Sequence, residues 1–229
     1  MTQSPNRRMG RPRAVTEQAI LDAALSQLDT GGAASVSVRG IAAQLGIAPN
    51  AVYTYFPNKA AVLRALVERF LGEVNHDRFA DRQMPWRERV EALALELRTR
   101  LVAHPGAVHL LLGGPMDGPN ALMLRESLAG VLADAGATAD DAARASYVLV
   151  VYVLGAIALE VAGLDHADLT ESERITTRRA TLDTISTTTY PRTTSTAATV
   201  AKYFTTEQFL WGLTHILNGL APTPEAPAR

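Results

Sequence analysis

Apolar side chains recur along this chain at helical spacing. Ile20, Leu21, Ala24, Leu25 and Leu28 follow the interval of an amphipathic helix. Thr16 is placed to cap its start and Gly31-Gly32 to stop it. Two short helices fit Val38–Leu45 and Pro49–Tyr55, with Gly46 between them. Asn58 can cap the next helix, whose apolar face is Val62, Leu63, Leu66, Val67, Phe70 and Leu71. Pro85-Trp86 opens a helix through Val90, Leu93, Leu97 and Leu101 that stops near Pro105-Gly106. A short helix around Ala107–Leu112 breaks at Gly113-Gly114-Pro115, and another runs from Pro119 to about Ala135. Thr138 and Asp141 have the spacing of a capping pair ahead of the apolar segment Asp140–Val161. A buried strand is the alternative there, and length and cap favour helix. Nine threonines crowd Thr181–Thr199 around Pro191, so a weakly helical or mobile connection is expected. A last helix, Thr206–Leu220, presents Phe209, Leu210, Leu213, Ile216, Leu217 and Leu220. No pair of alternating segments carries a hairpin signal. The expected fold is all-α.

Charge divides the chain. The 229 residues carry 22 Lys+Arg and 23 Asp+Glu. Residues 1–69 nevertheless hold eight basic against four acidic side chains, which leaves the rest net acidic. A basic head on an acidic body suggests that only the head meets a polyanion. With no cysteine, disulfides, thiolate nucleophiles and Cys-ligated zinc are excluded. No apolar stretch follows the N-terminal arginines, so no secretory signal is expected. The charge-free run Ala145–Leu159 falls short of the ~20 residues of a bilayer span. A soluble, cytoplasmic protein is expected. Its parts are a disordered basic arm (1–14), a head (15–58), a larger helical body (59–220) and a disordered Pro/Ala-rich tail (221–229).

Val38–Tyr55 carries the functional chemistry. Val38, Ile41, Leu45, Ile47, Val52 and Tyr55 can face one core, and Gly46 can take the positive φ of a tight interhelical turn. Such a helix-turn-helix lays its second helix in the DNA major groove. That helix starts at Ala48-Pro49-Asn50-Ala51, with Pro49 suited to the first helical position. Asn50 can bond a base edge or phosphate, while Ala51 and the Thr54 methyl can pack on thymine methyls. Tyr53 and Tyr55 point to different sides, one toward the DNA backbone and one toward the core. Ser37 offers a cap hydroxyl and Arg39 a cation facing DNA. Lys59 begins the following helix, where backbone N–H groups favour phosphate. Arg11 and Arg13 can enter an adjacent minor groove. An ordinary helical corner can share the apolar spacing and the glycine; the basic head and the arginine arm distinguish this one.

Residues Thr16–Phe70 resemble the DNA-binding head of the TetR family of bacterial transcriptional repressors. The resemblance lies in AILDAALSQL, SVSVRGIAAQLGIAPNAVYTYFPNKAAVLRALV and the Gly31-Gly32 break. The Tyr53-x-Tyr55-Phe56-x-x-Lys59 pattern is its most specific part. It implies a homodimer with a small DNA-binding head and a ligand-binding helical body. It also implies that Ser37, Arg39, Pro49, Asn50, Ala51, Tyr53, Thr54, Tyr55 and Lys59 face DNA. Ala48 departs from the family's usual Ser or Thr cap, a loss of about 1 kcal/mol. Residues 101–115 and 136–160 resemble the tetracycline-repressor branch, in which a histidine matched by His109 helps hold a drug–metal chelate. No second imidazole lies near Val151, so that chelate is not the expected ligand.

The five histidines form no i, i+4 pair and no zinc motif, so no metal, cofactor or catalytic group is expected. His109 is the candidate ligand-bonding histidine. Glu160 reads as the solvated end of a helix, with a buried partner for a cationic ligand as its alternative. Trp86, Leu93, Leu97, Leu112, Met116, Tyr147 and Tyr152, with His109, are candidates to line an apolar pocket between helices; ordinary core packing competes at each. Met123 joins them as a weaker candidate. The expected function is a repressor that binds a palindromic operator as a dimer and is released by a small hydrophobic effector. The Asp140–Val161 and Thr206–Leu220 helices would form the dimer interface, and the helix after Asn58 would be the lever. The rivals are an effector-independent DNA-binding dimer and an all-α enzyme, the latter lacking any nucleophile motif or phosphate loop.

Overall fold

The computed structural model describes residues 15–114, 116–163 and 169–220. Among them every regular element is a helix. The order is α1 (Glu17–Ser35), α2 (Val38–Leu45), α3 (Pro49–Tyr53), α4 (Lys59–Gly72), α5 (Asp77–Ala80), α6 (Trp86–Ala103) and α7 (Pro105–Gly113). The chain continues through α8 (Pro119–Asp134), α9 (Ala139–Ala162), α10 (Glu171–Asp183), α11 (Pro191–Ser195), α12 (Ala197–Val200) and α13 (Thr206–Leu220). The expected all-α class holds.

Side-chain caps define several starts. The Thr16, Ser37, Asn58 and Thr138 side chains accept from Ala19, Gly40, Ala61 and Asp141 N–H respectively. Each satisfies one donor that a first helical turn leaves unpaired. At Gly31 and Gly32 the backbone of α1 leaves helical geometry, with Gly32 at φ +66°. The glycine pair therefore bends the chain toward α2.

In the head α1 packs against α2 and α2 against α3, while α1 also packs against α4 and α7 of the body. Ile20, Ala24, Leu28, Ile41 and Val52 of the head are fully enclosed, as is Leu66 on α4. In the body, α9 packs on α6, α7, α8 and α13 around Leu101, Leu132, Ile157, Leu213 and Leu217. By length and composition α9 is apolar enough to cross a membrane. In the fold, Ala142, Ala145, Leu149, Val153 and Ile157 form its core face, while Tyr147, Val148, Val151 and Leu159 are exposed.

One expectation is corrected. Glu160 is buried at 4% exposure instead of solvated. It takes two 2.7 Å hydrogen bonds from the Arg98 guanidinium, which also donates to Thr206 Oγ1 at 2.8 Å. Glu171 stands 3.5 Å from Arg98 and accepts from Thr206 N–H, so one cluster, buried at Arg98 and Glu160, joins α6, α9, α10 and α13. α10, an element without a counterpart in the sequence reading, runs into the start of the Thr-rich stretch and is held by a capping box between Thr170 and Glu173. The Thr-rich stretch is weakly helical, one of the two expectations for it: it forms turns and two short helices. Its hydroxyls bond backward, Thr184 to Thr181 O and Thr196 to Arg192 O, which favours short turns over a long helix. The expected arm and tail lie outside the described residues.

Candidate nucleic-acid interface

The local chemistry of the head fixes α3 from both ends. At the end of α2, Gly46 sits in the left-handed region at φ +66°, and Ile47 N–H reaches back to Ala42 O at 3.0 Å. A glycine reaches this geometry without a Cβ penalty. Gln27 of α1 accepts from Ser37 N–H at 3.1 Å, docking α2 on α1. This approach needs Gly40, because a Cβ there would lie 2.8 Å from Ser37 Oγ and 3.0 Å from Gln27 Oε1. α3 then begins with Pro49 and has no side-chain cap, as Ala48 implies.

Val52 is the buried anchor of α3, and Pro49, Asn50, Tyr53 and Thr54 are exposed around it. Ala51 is half-buried. The Thr54 hydroxyl donates to Asn50 O at 3.1 Å. Ser37 and Arg39 are exposed at the start of α2. The structure therefore gathers Ser37, Arg39, Pro49, Asn50, Tyr53 and Thr54 on the accessible part of the helix pair.

Two residues behave differently from expectation. Tyr55 is 42% exposed and is not a core residue. Its hydroxyl donates to Val15 O at 2.7 Å and ties the end of α3 to the point where the basic arm joins α1. Lys59 is half-buried and spends one ammonium donor on Ala34 O at 3.2 Å. An ammonium has two further donors. Arg11 and Arg13 lie outside the described residues.

The head is seated closely on the body. A Cβ at Gly106 of α7 would fall 2.2 Å from Leu28 O, so the α7 backbone rests directly on α1. His104 Nδ1 and Asp29 Oδ2 are 2.8 Å apart beside this contact. α4 interlocks with α8: the Glu68 carboxylate accepts from Asn120 N–H at 2.8 Å, and Asn120 Nδ2 donates to Glu68 O at 2.8 Å. Arg69 of α4 donates to Asp22 of α1 at 2.6 Å. Burial opposes the Arg69 charge, but its bonds to Asp22 and Glu73 outweigh burial and raise its pKa. α4 and α7 are thereby both tied to α1.

The candidate pocket residues do not converge. Leu93 is buried; Trp86, Leu97, Met116 and Tyr152 are half-buried against the core. Leu112 and Tyr147 are exposed at 51% and 72%, so they point away from the body core, as does exposed Met123. The Tyr152 hydroxyl donates to Phe209 O at 2.8 Å, clasping α9 to α13. Burial pushes its pKa up. His109 is exposed on α7 and faces a cleft against α1 and α4, away from the body core. Sequence reasoning missed Arg98, whose partner Glu160 lies 62 residues away, and it missed α10, which the Thr170-x-x-Glu173 spacing announces.

Residues 80–223 match the profile described as tetracyclin repressor-like, C-terminal domain, and residues 20–66 that of bacterial regulatory proteins, tetR family. The chain belongs to the TetR family. It is thus a DNA-binding transcriptional regulator of a family of regulators, not of enzymes. A TetR-type solved structure from Streptomyces coelicolor A3(2), titled a possible TetR family transcriptional regulator, is 30% identical with a TM-score of 0.73. That likeness covers 89% of this chain and 97% of the other. An HTH-type transcriptional regulator of Saccharopolyspora erythraea is 32% identical over 146 residues, 64% of this chain and 61% of that regulator's length. The class C tetracycline repressor of Escherichia coli is 28% identical, covering 72% of this chain and 75% of the repressor. The helix-turn-helix of this TetR-family chain is the α2–α3 pair.

Proposed function

We propose that the chain is a cytoplasmic, homodimeric repressor that binds a palindromic operator through α3 and is released by a small hydrophobic effector. The observation that carries this reading is the outward presentation of Asn50, Tyr53 and Thr54 on a helix anchored by buried Val52. The domain division 1–14, 15–58, 59–220 and 221–229 belongs to the same proposal. Similarity to the tetracycline repressor supports a ligand response. The effector prefers one arrangement of the body and so shifts the spacing of the two heads.

The dimer surface in this reading is the exposed apolar stripe of α9 and α13. Tyr147, Val151, Gly155 and Leu159 recur every fourth residue on α9, as do Trp211, His215 and Gly219 on α13. A Cβ at Gly155 or Gly219 would meet nothing within 4 Å, so a partner helix can approach closely. Two α3 helices joined this way must sit about 34–36 Å apart to enter successive major grooves. In the test, duplexes are selected from a randomised library with the intact protein, and sedimentation is measured beside them. The selected sites are expected to be inverted repeats and the protein a dimer. Val151→Glu is expected to yield a folded monomer with at least a tenfold loss of operator affinity. A Val151→Glu protein that remains a dimer with full affinity rejects this interface.

A further inference from the structure

The cleft faced by His109 has a volume of ≈ 610 Å³, within the roughly 300–1,000 Å³ of small-molecule sites. One wall is the start of α4, with Ala60, Leu63 and Arg64; the other is α7, with His109, Leu110 and Gly113. Among the described residues no carboxylate lines the cleft wall itself, whereas Arg64 and His109 bring nitrogen donors to a mostly apolar surface. Arg64 is half-exposed and is paired with Asp117, just ahead of α8. An exposed ion pair of this kind is worth about 0–1 kcal/mol, so another carboxylate can compete for the guanidinium. Gly113 borders open space among the described residues: a Cβ there would meet none of them within 4 Å, unlike neighbouring Gly114, which is pressed on Leu110 O.

We infer that this cleft binds a small apolar organic acid. Its carboxylate takes Arg64 from Asp117, with His109 as a second donor, and its apolar part lies on Ala60, Leu63 and Leu110. A bidentate guanidinium–carboxylate contact supplies orientation, and the apolar wall supplies burial. The occupant touches the lever helix α4, which follows directly on the head, on one side and α7 on the other. It also removes one of the links between α4 and the region of α8, leaving the Glu68–Asn120 bonds in place. Binding therefore discriminates between head orientations, which a ligand must do to shift them. The regulatory consequence rests on the ligand-responsive reading above; the binding itself does not.

Isothermal titration of the intact protein with 1-naphthylacetate, 4-phenylbutyrate and 1-naphthylacetamide tests the site without DNA. Its failure is therefore distinct from failure of the repressor reading, which the duplex selection decides. Both acids are expected to bind saturably, with the amide at least tenfold weaker than 1-naphthylacetate. Arg64→Gln is expected to weaken the acids at least tenfold and to leave the amide within twofold. Gly113→Leu fills the cleft and is expected to abolish binding of all three probes. Ala60→Leu serves the same purpose should thermal melting show Gly113→Leu to be unfolded. Absence of saturable binding by both acids overturns the inference, and so does binding that survives the cleft-filling substitution.

Discussion

Glu160→Ala is expected to destabilise the protein by about 3–5 kcal/mol, because it strands the buried Arg98 cation. Arg98 is 9% exposed and makes both of its 2.7 Å bonds to Glu160, one from Nε and one from an Nη. Thr206 Oγ1 and the more distant Glu171 remain as partners, which places the effect toward the lower end of that range. In a chain of this size the melting temperature falls by on the order of 10 °C. The loss measures an uncompensated buried charge, not the net worth of the pair. The paired replacement Arg98→Met with Glu160→Leu is therefore expected to recover most of the stability. Thermal or denaturant unfolding at fixed protein concentration checks both. A Glu160→Ala protein within 1 kcal/mol of the parent means that Arg98 escapes to water and that the cluster does not hold α13.

The second large effect is at Gly106. Alanine there places a Cβ 2.2 Å from Leu28 O and 2.5 Å from its carbonyl carbon, and the α1 backbone cannot swing aside as a long side chain can. α1 and α7 must separate, at an overpacking cost of typically about 1–3 kcal/mol. The same displacement disturbs the Asp29–His104 contact and tilts the head on its body. Operator affinity is expected to fall at least tenfold even where the protein remains folded. Gly130→Ala is the matched control: its Cβ would find open space within α8, so stability should hold or rise by a few tenths to about 1 kcal/mol. A Gly106→Ala protein with parental melting and affinity contradicts the close seating of α7 on α1.

What could be read from the sequence was the chemistry that acts locally. Thr16, Ser37, Asn58 and Thr138 cap the helices whose starts they announce, and Gly46 takes the positive φ its place between two short helices implies. The apolar periods of α1, α4 and α13 name their buried faces because one side of each is polar. α9 is apolar on nearly every side, so spacing alone could not assign Tyr147 outward and Leu149 inward. The same ambiguity scattered the candidate pocket residues between core and surface. Tyr55 looked like core because its ring is apolar, but its hydroxyl is claimed by Val15 O, a contact 40 residues away. Arg89 and Arg98 sit at positions that read as polar surface, and only the tertiary fold supplies their carboxylate partners Asp134 and Glu160. The cleft at His109 was invisible for a related reason. Its walls come from separate helices whose mutual rotation no single period encodes.

Operator affinity of the parent, Asn50→Ala and Arg39→Ala proteins, measured across salt concentrations on one selected duplex, tests the outward reading helix most directly. The account predicts affinity that falls linearly in log–log form with salt. Arg39→Ala should flatten that slope, and Asn50→Ala should weaken binding at least fivefold and relax preference at one base position per half-site. Both variants should melt like the parent, since both side chains are exposed. Parental affinity, slope and sequence preference in both variants would contradict the account.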